Sequence, residues 1–457
     1  MHMTGKQRIL ATFDHEPTDH VPWVPFAGVH AGKLKGYTAT ELLTDKDKLV
    51  ECLLEVNKAY SPDGQPVAFD LQVEAEIIGG CKMRWAEKAP PSVETHPLAS
   101  TTDVPSTLPA ASDGRLPIFL HATRQLKAKA GDTTAIFGLV TGPLTLASHL
   151  RGTALFVDII RQKAYTRRLL DYASDVAIEM GRHYISAGAD VIAVVDPVVS
   201  QVSPKAFDDL LHDPFSRIFK HIKQDGARSS FFVCGDATKN IEPMCSTRPE
   251  SIFVDENIDM VAAKKITDKH DIVLGGNIPL TSIMLYGTQQ DNMKYVVDLI
   301  ETLGNANLVI APGCDMPYDV PPENVIGVAQ AVHEPDSVRE MLRNYQAASE
   351  EAIDVVLPDY AHLPRTLVEV FTIDSAQCAA CGYMKSLAFT AKDKYGEAVD
   401  VVEYKSIDKI NIARAKKMAI KHLPCMLIDG KLKYSSIIPG QADYFKEIES
   451  SLKKRKK

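Results

Sequence analysis

Residues 187–197 read Ala187-Gly188-Ala189-Asp190-Val191-Ile192-Ala193-Val194-Val195-Asp196-Pro197. An unbroken apolar run of strand length follows a glycine and stops at an acid and a proline, which is how a strand buried on both faces reads. Residues 164–187, just before it, carry the 3.6-residue apolar period of a helix packed on one side. Helix, tight turn and buried strand repeat in both directions from here. Candidate strands fall at residues 21–26, 66–71, 135–140, 190–195, 229–233, 251–254, 272–275 and 308–311, with helical patterns between them such as 291–303. Alternating β and α units predict an α/β protein with a parallel sheet, and eight units predict a closed (β/α)8 TIM barrel. An open doubly wound sheet is the alternative.

The chain has 457 residues, 45% hydrophobic and 24% charged, enough to bury a large core. Its 51 Lys+Arg against 59 Asp+Glu give a net charge of -8, a poor match to a nucleic-acid binder. The amino-terminal stretch with Lys6, Arg8 and Asp14 has no apolar run. Nowhere does the chain approach the roughly 18 apolar residues of a membrane span, so the expectation is a cytoplasmic protein that uses no membrane. The basic run Lys453-Lys454-Arg455-Lys456-Lys457 reads as a solvated helix end. Eight cysteines are too sparse for a disulfide scaffold and read as reduced thiols, some of them in chemistry or metal binding.

The residues just past each candidate strand carry the functional reading. In order come His30; Asp70 with Glu74 and Glu76; Thr141-Gly142-Pro143; Asp196-Pro197; Cys234-Gly235-Asp236; Asp255-Glu256; Asn277; and Pro312-Gly313-Cys314. In a barrel the carboxyl ends of the strands converge on one mouth, where a site is built. Helix capping and turns account for an Asp, Asn or Gly there, but not for two cysteines. His30, Asp70, Glu74, Asp196 and Asn277 are the groups expected to bind substrate.

Residues 346–364, with Pro358 and Pro364, read as a linker between a first domain, 1–345, and a second, 365–457. The second runs strand 367–373, Cys378-Ala379-Ala380-Cys381, helix to about 394, strand 399–404, helix 408–421, Leu423-Pro424, strands 426–428 and 431–434 around Asp429-Gly430, and a last helix. A CxxC between strand and helix puts Cys378 at the helix amino end, where backbone N–H groups and the dipole stabilise a thiolate. Cys381, one turn on, is placed to close a disulfide with it. This order of elements resembles the thioredoxin fold. The resemblance implies Cys378 and Cys381 as the reacting redox pair and Pro424 in the place of that fold's cis-proline. A structural zinc half-site is the alternative, but no second CxxC or Cys/His pair lies near. Cys425 has no assigned role.

Over residues 4–345 the chain resembles the uroporphyrinogen decarboxylase superfamily, and within it the corrinoid-dependent methylcobamide:coenzyme M methyltransferases. The blocks that carry this are Gly5-Lys6-Gln7-Arg8-Ile9-Leu10, Asp19-His20-Val21-Pro22, Val29-His30-Ala31-Gly32, Asp70-Leu71-Gln72-Val73-Glu74, Thr141-Gly142-Pro143-Leu144-Thr145-Leu146-Ala147-Ser148-His149-Leu150-Arg151-Gly152, Asp196-Pro197, Gly276-Asn277-Ile278-Pro279, Ala311-Pro312-Gly313-Cys314 and Pro321-Pro322-Glu323-Asn324. The resemblance implies a zinc ion that keeps a thiol substrate as the thiolate attacking the methyl group of methylcobalamin. The family's zinc ligands are a His-x-Cys after the fifth strand, a Cys after the eighth and a carboxylate after the sixth. These carry over to Cys234, Cys314 and Asp255, but the histidine position holds Phe232.

Phenylalanine binds no metal, so three readings stay open. Zinc sits on the two cysteines with Asp255, Glu256 or water; or another ligand comes from Glu74, Glu76, His30 or His149; or the metal is gone and the thiols exchange electrons with the CxxC. His149 and Arg151 either reach the mouth and bind an anionic group or serve as solvated or capping residues. True uroporphyrinogen decarboxylases carry Arg-Gln-Ala-Gly-Arg after the first strand, whereas this chain has Ala27-Gly28-Val29-His30-Ala31. It lacks the arginines that would pair with a porphyrinogen's carboxylates. With no Asp-x-His-x-x-Gly motif, a corrinoid has to arrive on a partner protein. The resemblance thus implies methyl transfer between a methylcobamide on a corrinoid protein and a small thiol or related substrate, and the fusion alone motivates a coupling of this to the CxxC. Decarboxylation of a smaller tetrapyrrole, and a redox or metal-handling thiol protein, are the alternatives.

Overall fold

The computed structural model describes residues 3–346, 353–373, 375 and 379–455. Seven strands make one parallel sheet in sequential order: β1 (Gly64–Pro66), β2 (Ala135–Thr141), β3 (Val191–Val195), β4 (Arg228–Val233), β5 (Ser251–Val254), β6 (Val273–Ile278) and β7 (Leu308–Pro312). Every residue of β2, β3, β5, β6 and β7 is buried, which is why these strands show no polar alternation. Helices that include α1 (Gly5–Phe13), α2 (Val73–Gly79), α3 (Pro143–Arg151) and α4 (Lys163–Ala187) lie in the connections. Along α4, Leu169, Leu170, Ala173, Val176, Ala177 and Met180 are buried at helical spacing. Gly188, at φ +110°, then ends the helix in a backbone conformation that side chains avoid, three residues before β3.

The sheet curls in the TIM-like manner until its two edges share one segment of chain. Val24 N–H donates to Ile310 O (3.0 Å) and Ile310 N–H to Pro22 O (2.8 Å), while the N–H groups of Asp63 and Gly64 donate to Trp23 O (3.0 and 3.2 Å). Two strand expectations are corrected here. Residues 21–26 form a single bridge at Trp23 rather than a six-residue strand, because Pro22 and Pro25 lack the N–H a ladder needs. The next strand is Gly64–Pro66 rather than 66–71: a turn in which Asp70 Oδ1 accepts Gln72 N–H (3.0 Å) replaces extended chain. Inside the curl Phe26, Phe69, Phe137, Phe232 and Phe253 form one apolar plug.

A second sheet has the order β9-β8-β10-β11, built from β8 (Thr366–Thr372), β9 (Val399–Lys405), β10 (Cys425–Ile428) and β11 (Lys431–Ser435). β8 runs parallel to β9 and antiparallel to β10, and β10 runs antiparallel to β11. Helices α5 (Ala379–Tyr395), α6 (Lys409–Lys417) and α7 (Gln441–Arg455) complete it, and the Leu423–Pro424 peptide is cis. This unit docks over the carboxyl ends of the first sheet. Tyr383 of α5, buried, donates to Ser148 Oγ of α3 (2.9 Å). The same helix packs on the 3-10 turn Pro197–Gln201 just past β3. Tyr286, in the segment after β6, donates to Ile407 O and lies under Lys409 Nζ, 4.8 Å from its ring centre. No helix among the described residues is long and apolar enough to cross a membrane.

At the opposite end Arg8, its side chain 4% exposed, pairs with Asp63 and reaches Asp19 from Nε (2.6 Å). Asp63 also accepts Trp23 N–H (2.7 Å), so one buried ion pair fixes the segment that joins the sheet's edges. Removing one partner of such a pair strands the other charge. Arg8→Ala is therefore expected to cost about 3–5 kcal/mol of unfolding free energy in urea, whereas Lys205→Ala, at an exposed pair, should stay within about 1 kcal/mol.

Candidate functional site

β4 delivers Cys234 and β7 delivers Cys314, and the two are joined in a disulfide with their Cα atoms 5.7 Å apart. This corrects the expectation that all eight cysteines are reduced. Gly235, next to Cys234, has φ +89°, and a side chain on Gly313 would run into the backbone of Glu256, so both chain turns need glycine. Asp255, at the end of β5, lies beside them. Its Oδ2 accepts Gly235 N–H (2.8 Å), and its Oδ1 accepts Asn257 N–H (2.9 Å) and the Asn257 side-chain amide. Burial pushes the Asp255 carboxyl above its ordinary range and does the same to Glu256, which accepts Leu280 N–H (2.5 Å). Phe232 points into the apolar plug, its ring centre 4.7 Å from Phe26 and 5.8 Å from Phe69 and Phe253.

Zinc needs separate thiolates. In the bonded pair neither sulfur is one, and both Asp255 oxygens are taken, so the oxidised arrangement does not hold a metal. Reduction leaves two soft donors at this spacing, with a buried carboxylate hydrogen-bonded to the residue after Cys234. That Cys2Asp set with an open position fits zinc. Among the described residues, ligand atoms of three such side chains approach within 4.8 Å of one another at His20, Asp63 and His333, at the far end of the sheet. There Asp63 is already neutralised by Arg8.

The other expected groups gather at the same end as the cysteines but turn their polar atoms to neighbours. Asp196, fully buried, accepts the N–H groups of Leu144 (2.8 Å) and Thr145 (3.0 Å) and the Thr145 hydroxyl (2.6 Å). A side chain on Gly142 would overlap its carboxyl group. Glu74 accepts Thr141 N–H (2.8 Å) and the Thr141 hydroxyl (2.6 Å). Asp70 takes Arg115 Nη1 (2.6 Å), and Arg115 Nε reaches Glu76 (2.7 Å). Asn277 donates to the carbonyls of Asp255 and Ile258 (2.9 Å each). His30 bonds Tyr60 Oη (2.7 Å) and Tyr318 O (3.1 Å), and burial lowers its imidazole to about 4, leaving it neutral at pH 7. Cys378 lies outside the described residues; Cys381 is buried in the first turn of α5.

Sequence reasoning passed over two groups. Arg115 carries the Asp70–Glu76 cluster and keeps Nη2 without a partner; two acids spaced as Asp70 and Glu76 were its only signal. Asp315, beside Cys314, is buried with no partner at hydrogen-bonding geometry on either oxygen, although the N–H groups of Val29 and Met316 face it. Its adjacency to Cys314 was the available clue.

Asp196 yields a test. Burial raises its carboxyl to about 7, above the unfolded value of about 3.9. The folded state then binds a proton that the unfolded state has lost, so this group's contribution falls as pH rises from about 4 to about 7. Asp196→Asn should remove that slope from urea unfolding measured between pH 5 and 8. It should also lower stability at pH 7 by about 1–3 kcal/mol, because its NH2 would face a backbone N–H.

Comparison with known proteins accords with this geometry. The family model described as uroporphyrinogen decarboxylase (URO-D) matches residues 4–335. The methylcobamide:CoM methyltransferase MtbA of Methanosarcina acetivorans is 27% identical over 333 residues, covering 70% of this chain and 95% of that protein. The methylcobamide:CoM methyltransferase MtaA of Methanosarcina barkeri is 28% identical over 340 residues, covering 72% and 97%. A solved methyltransferase from Methanosarcina mazei superposes with a TM-score of 0.66 at 26% identity, covering 73% of this chain and 99% of its own. With the family match taking in β1 through β7 and both cysteines, the chain belongs to the uroporphyrinogen decarboxylase family.

Proposed function

We propose that the protein moves a methyl group between a methylcobamide carried by a partner corrinoid protein and a small thiol, at a site built on Cys234 and Cys314. The observation that carries this reading is the meeting of those two cysteines at the carboxyl ends of β4 and β7, in a chain similar to methylcobamide:CoM methyltransferases. Counting the segment at Trp23 as an eighth strand, we read residues 1–345 as a (β/α)8 barrel, 346–364 as a linker and 365–457 as a thioredoxin-like domain. The strand order β9-β8-β10-β11 and the helix α5 that begins at Ala379 and carries Cys381 in its first turn support the last assignment. A cytoplasmic setting goes with this reading.

In the reduced protein Cys234, Cys314 and Asp255 would hold zinc, which when bound keeps a substrate thiol deprotonated at neutral pH. The phenylalanine plug under the cysteines excludes water from the inner side of the site, leaving a thiolate there poorly solvated. His30, Asp70, Glu74, Asp196 and Asn277 are proposed to wall the substrate space. Their bonds to Tyr60, Arg115, Thr141, Thr145 and the Asp255 carbonyl set its shape. Decarboxylation of a polycarboxylate is not favoured, because Ala27-Gly28-Val29-His30-Ala31 offers it no arginine.

The reduced, zinc-loaded protein should demethylate methylcobalamin when given a small thiol, read from the cobalt spectrum. Cys314→Ser should slow this at least about 100-fold, the upper end of what a lost supporting contact costs a metal site, with zinc content falling in parallel. Full activity in the variant would sink the assignment.

The docking of α5 over the mouth suggests a redox coupling. The dithiol Cys378/Cys381 would become a disulfide as Cys234–Cys314 becomes two thiols, with two electrons and two protons passing between the pairs. Without added reductant, Cys378→Ser should stall turnover and leave Cys234 and Cys314 protected from alkylation. With a chemical reductant, turnover should return. Unchanged turnover without reductant discards the coupling.

A further inference from the structure

The second unit lies outside what the family supplies. The family match ends at residue 335. The two Methanosarcina methyltransferases compared above align over 95% and 97% of their own length but 70% and 72% of this chain. Under the added unit Asp255 is fully buried and Cys234 is 8% exposed. The chain entering the unit is fastened to it: Tyr360 Oη donates to Glu369 (3.0 Å), and Lys417 Nζ donates to Val355 O (2.7 Å).

The seam between the units is bolted by tyrosines and leaves polar atoms unmet. Tyr383 packs edge-on against Phe156 of the first unit, ring centres 5.8 Å apart, while its hydroxyl donates to Ser148 Oγ. Tyr286 of the first unit donates to Ile407 O of the second. Against these bonds, Gln72 Oε1, His149 Nδ1 and His422 Nδ1 are buried without a hydrogen bond. His422 stops 3.5 Å from Asp236 across the seam. Packing is incomplete as well, for a cleft of about 580 Å³ separates Gln72 and His149 from Lys385 and Phe389 of α5. A buried polar atom left unmet costs at least as much as a made hydrogen bond returns, and water reaches all three when the units part. Seated and lifted states are thus close in free energy, the balance usual for polar contacts between domains.

We propose that the second unit is a detachable, autoinhibitory cover. Seated, it closes the mouth to a macromolecule. Lifted, it frees the segments that follow β2, β3 and β6, where Ser148, the turn Pro197–Gln201 and Tyr286 now hold it. Naming a methylcobamide-bearing protein as the partner for that face rests on the function proposed above; the lifting itself does not.

The test follows reduction of Cys234–Cys314 by tris(2-carboxyethyl)phosphine in the oxidised full chain under native conditions. A Cys378→Ser background keeps any internal dithiol from reaching the pair. A loosened chain, Tyr286→Phe with Tyr383→Phe, keeps both rings and loses both bonds. A tightened chain, Gln72→Leu with His149→Phe, removes two unmet atoms instead. Reduction should be about tenfold faster in the loosened chain, the worth of one or two hydrogen bonds in an opening equilibrium. In the tightened chain it should be slower than in the parent. The radius of gyration from small-angle scattering should rise in the first and fall in the second. General damage would speed reduction in both, so the opposite signs are the mark of a lifting cover. If one pair fails to fold, the other decides against the parent. Equal rates throughout, or faster reduction in both chains, overturns the proposal. Methylcobalamin demethylation by the reduced, zinc-loaded forms is measured alongside. Should no form demethylate it while reduction keeps the expected order, the methyl-transfer reading falls and the cover stands.

Discussion

Everything at the mouth depends on the curl of the parallel sheet. β4 and β7 are three strand spacings apart, which in a flat sheet would separate them by about 14 Å. Cys234 and Cys314, just past their ends, instead have Cα atoms 5.7 Å apart. The curl is held by the short stretch at Trp23, whose backbone bonds Ile310 on one side and Asp63 and Gly64 on the other. Arg8 and Asp63 hold that stretch from below. A buried ion pair at the amino ends of the strands thereby governs a sulfur–sulfur contact at the carboxyl ends, with the phenylalanine plug between them.

The sheet was legible because strands buried on both faces are continuous apolar runs, and residues 191–195 are as plain an example as the chain holds. The joining stretch was misread as a full strand, since the apolar content of residues 21–26 outweighed the two prolines that forbid a ladder. The same overreach moved β1: Val67, Phe69 and Leu71 look like strand residues, but Asp70 turns the chain there. At the site, residue types were legible and distances were not. Two cysteines 80 positions apart carry no mark of whether they meet as a bond or around an ion. Asp196 and Asn277 are expected to face a substrate, and no sequence pattern shows that their polar atoms also hold the backbone of α3 and of the turn after β5. Asp315 and Arg115 escaped because a buried charge announces itself only once its surroundings are known.

The second sheet changes what the mouth is exposed to. Its contacts at Ser148, the turn Pro197–Gln201 and Tyr286 all fall on segments just past strand carboxyl ends. It therefore covers the face where the expected site residues gather. A macromolecular methyl donor would have to share that face or displace the cover. Ser148 and His149 are neighbours on α3: the first anchors the cover through Tyr383, and the second lines the cleft left beneath it. Docking and cleft are consequences of the same helix, and a residue change that shifts α3 acts on both.

Phe232 links the metal question to the redox one. A histidine in that position would add a ligand holding two thiolates on a common ion, and a metal so bound keeps the sulfurs from bonding to each other. A phenylalanine completes the interior packing with Phe26, Phe69 and Phe253 and withdraws the ligand. On the proposed zinc reading, the remaining Cys2Asp set would hold an ion less tightly, and the free pair would spend more time where oxidation to the disulfide competes. On that reading the chain would work as a thiolate site only when something returns electrons to Cys234 and Cys314. If the Cys378/Cys381 dithiol is that source, as proposed, the loss of one ligand and the gain of a fused reductant are two halves of one adaptation.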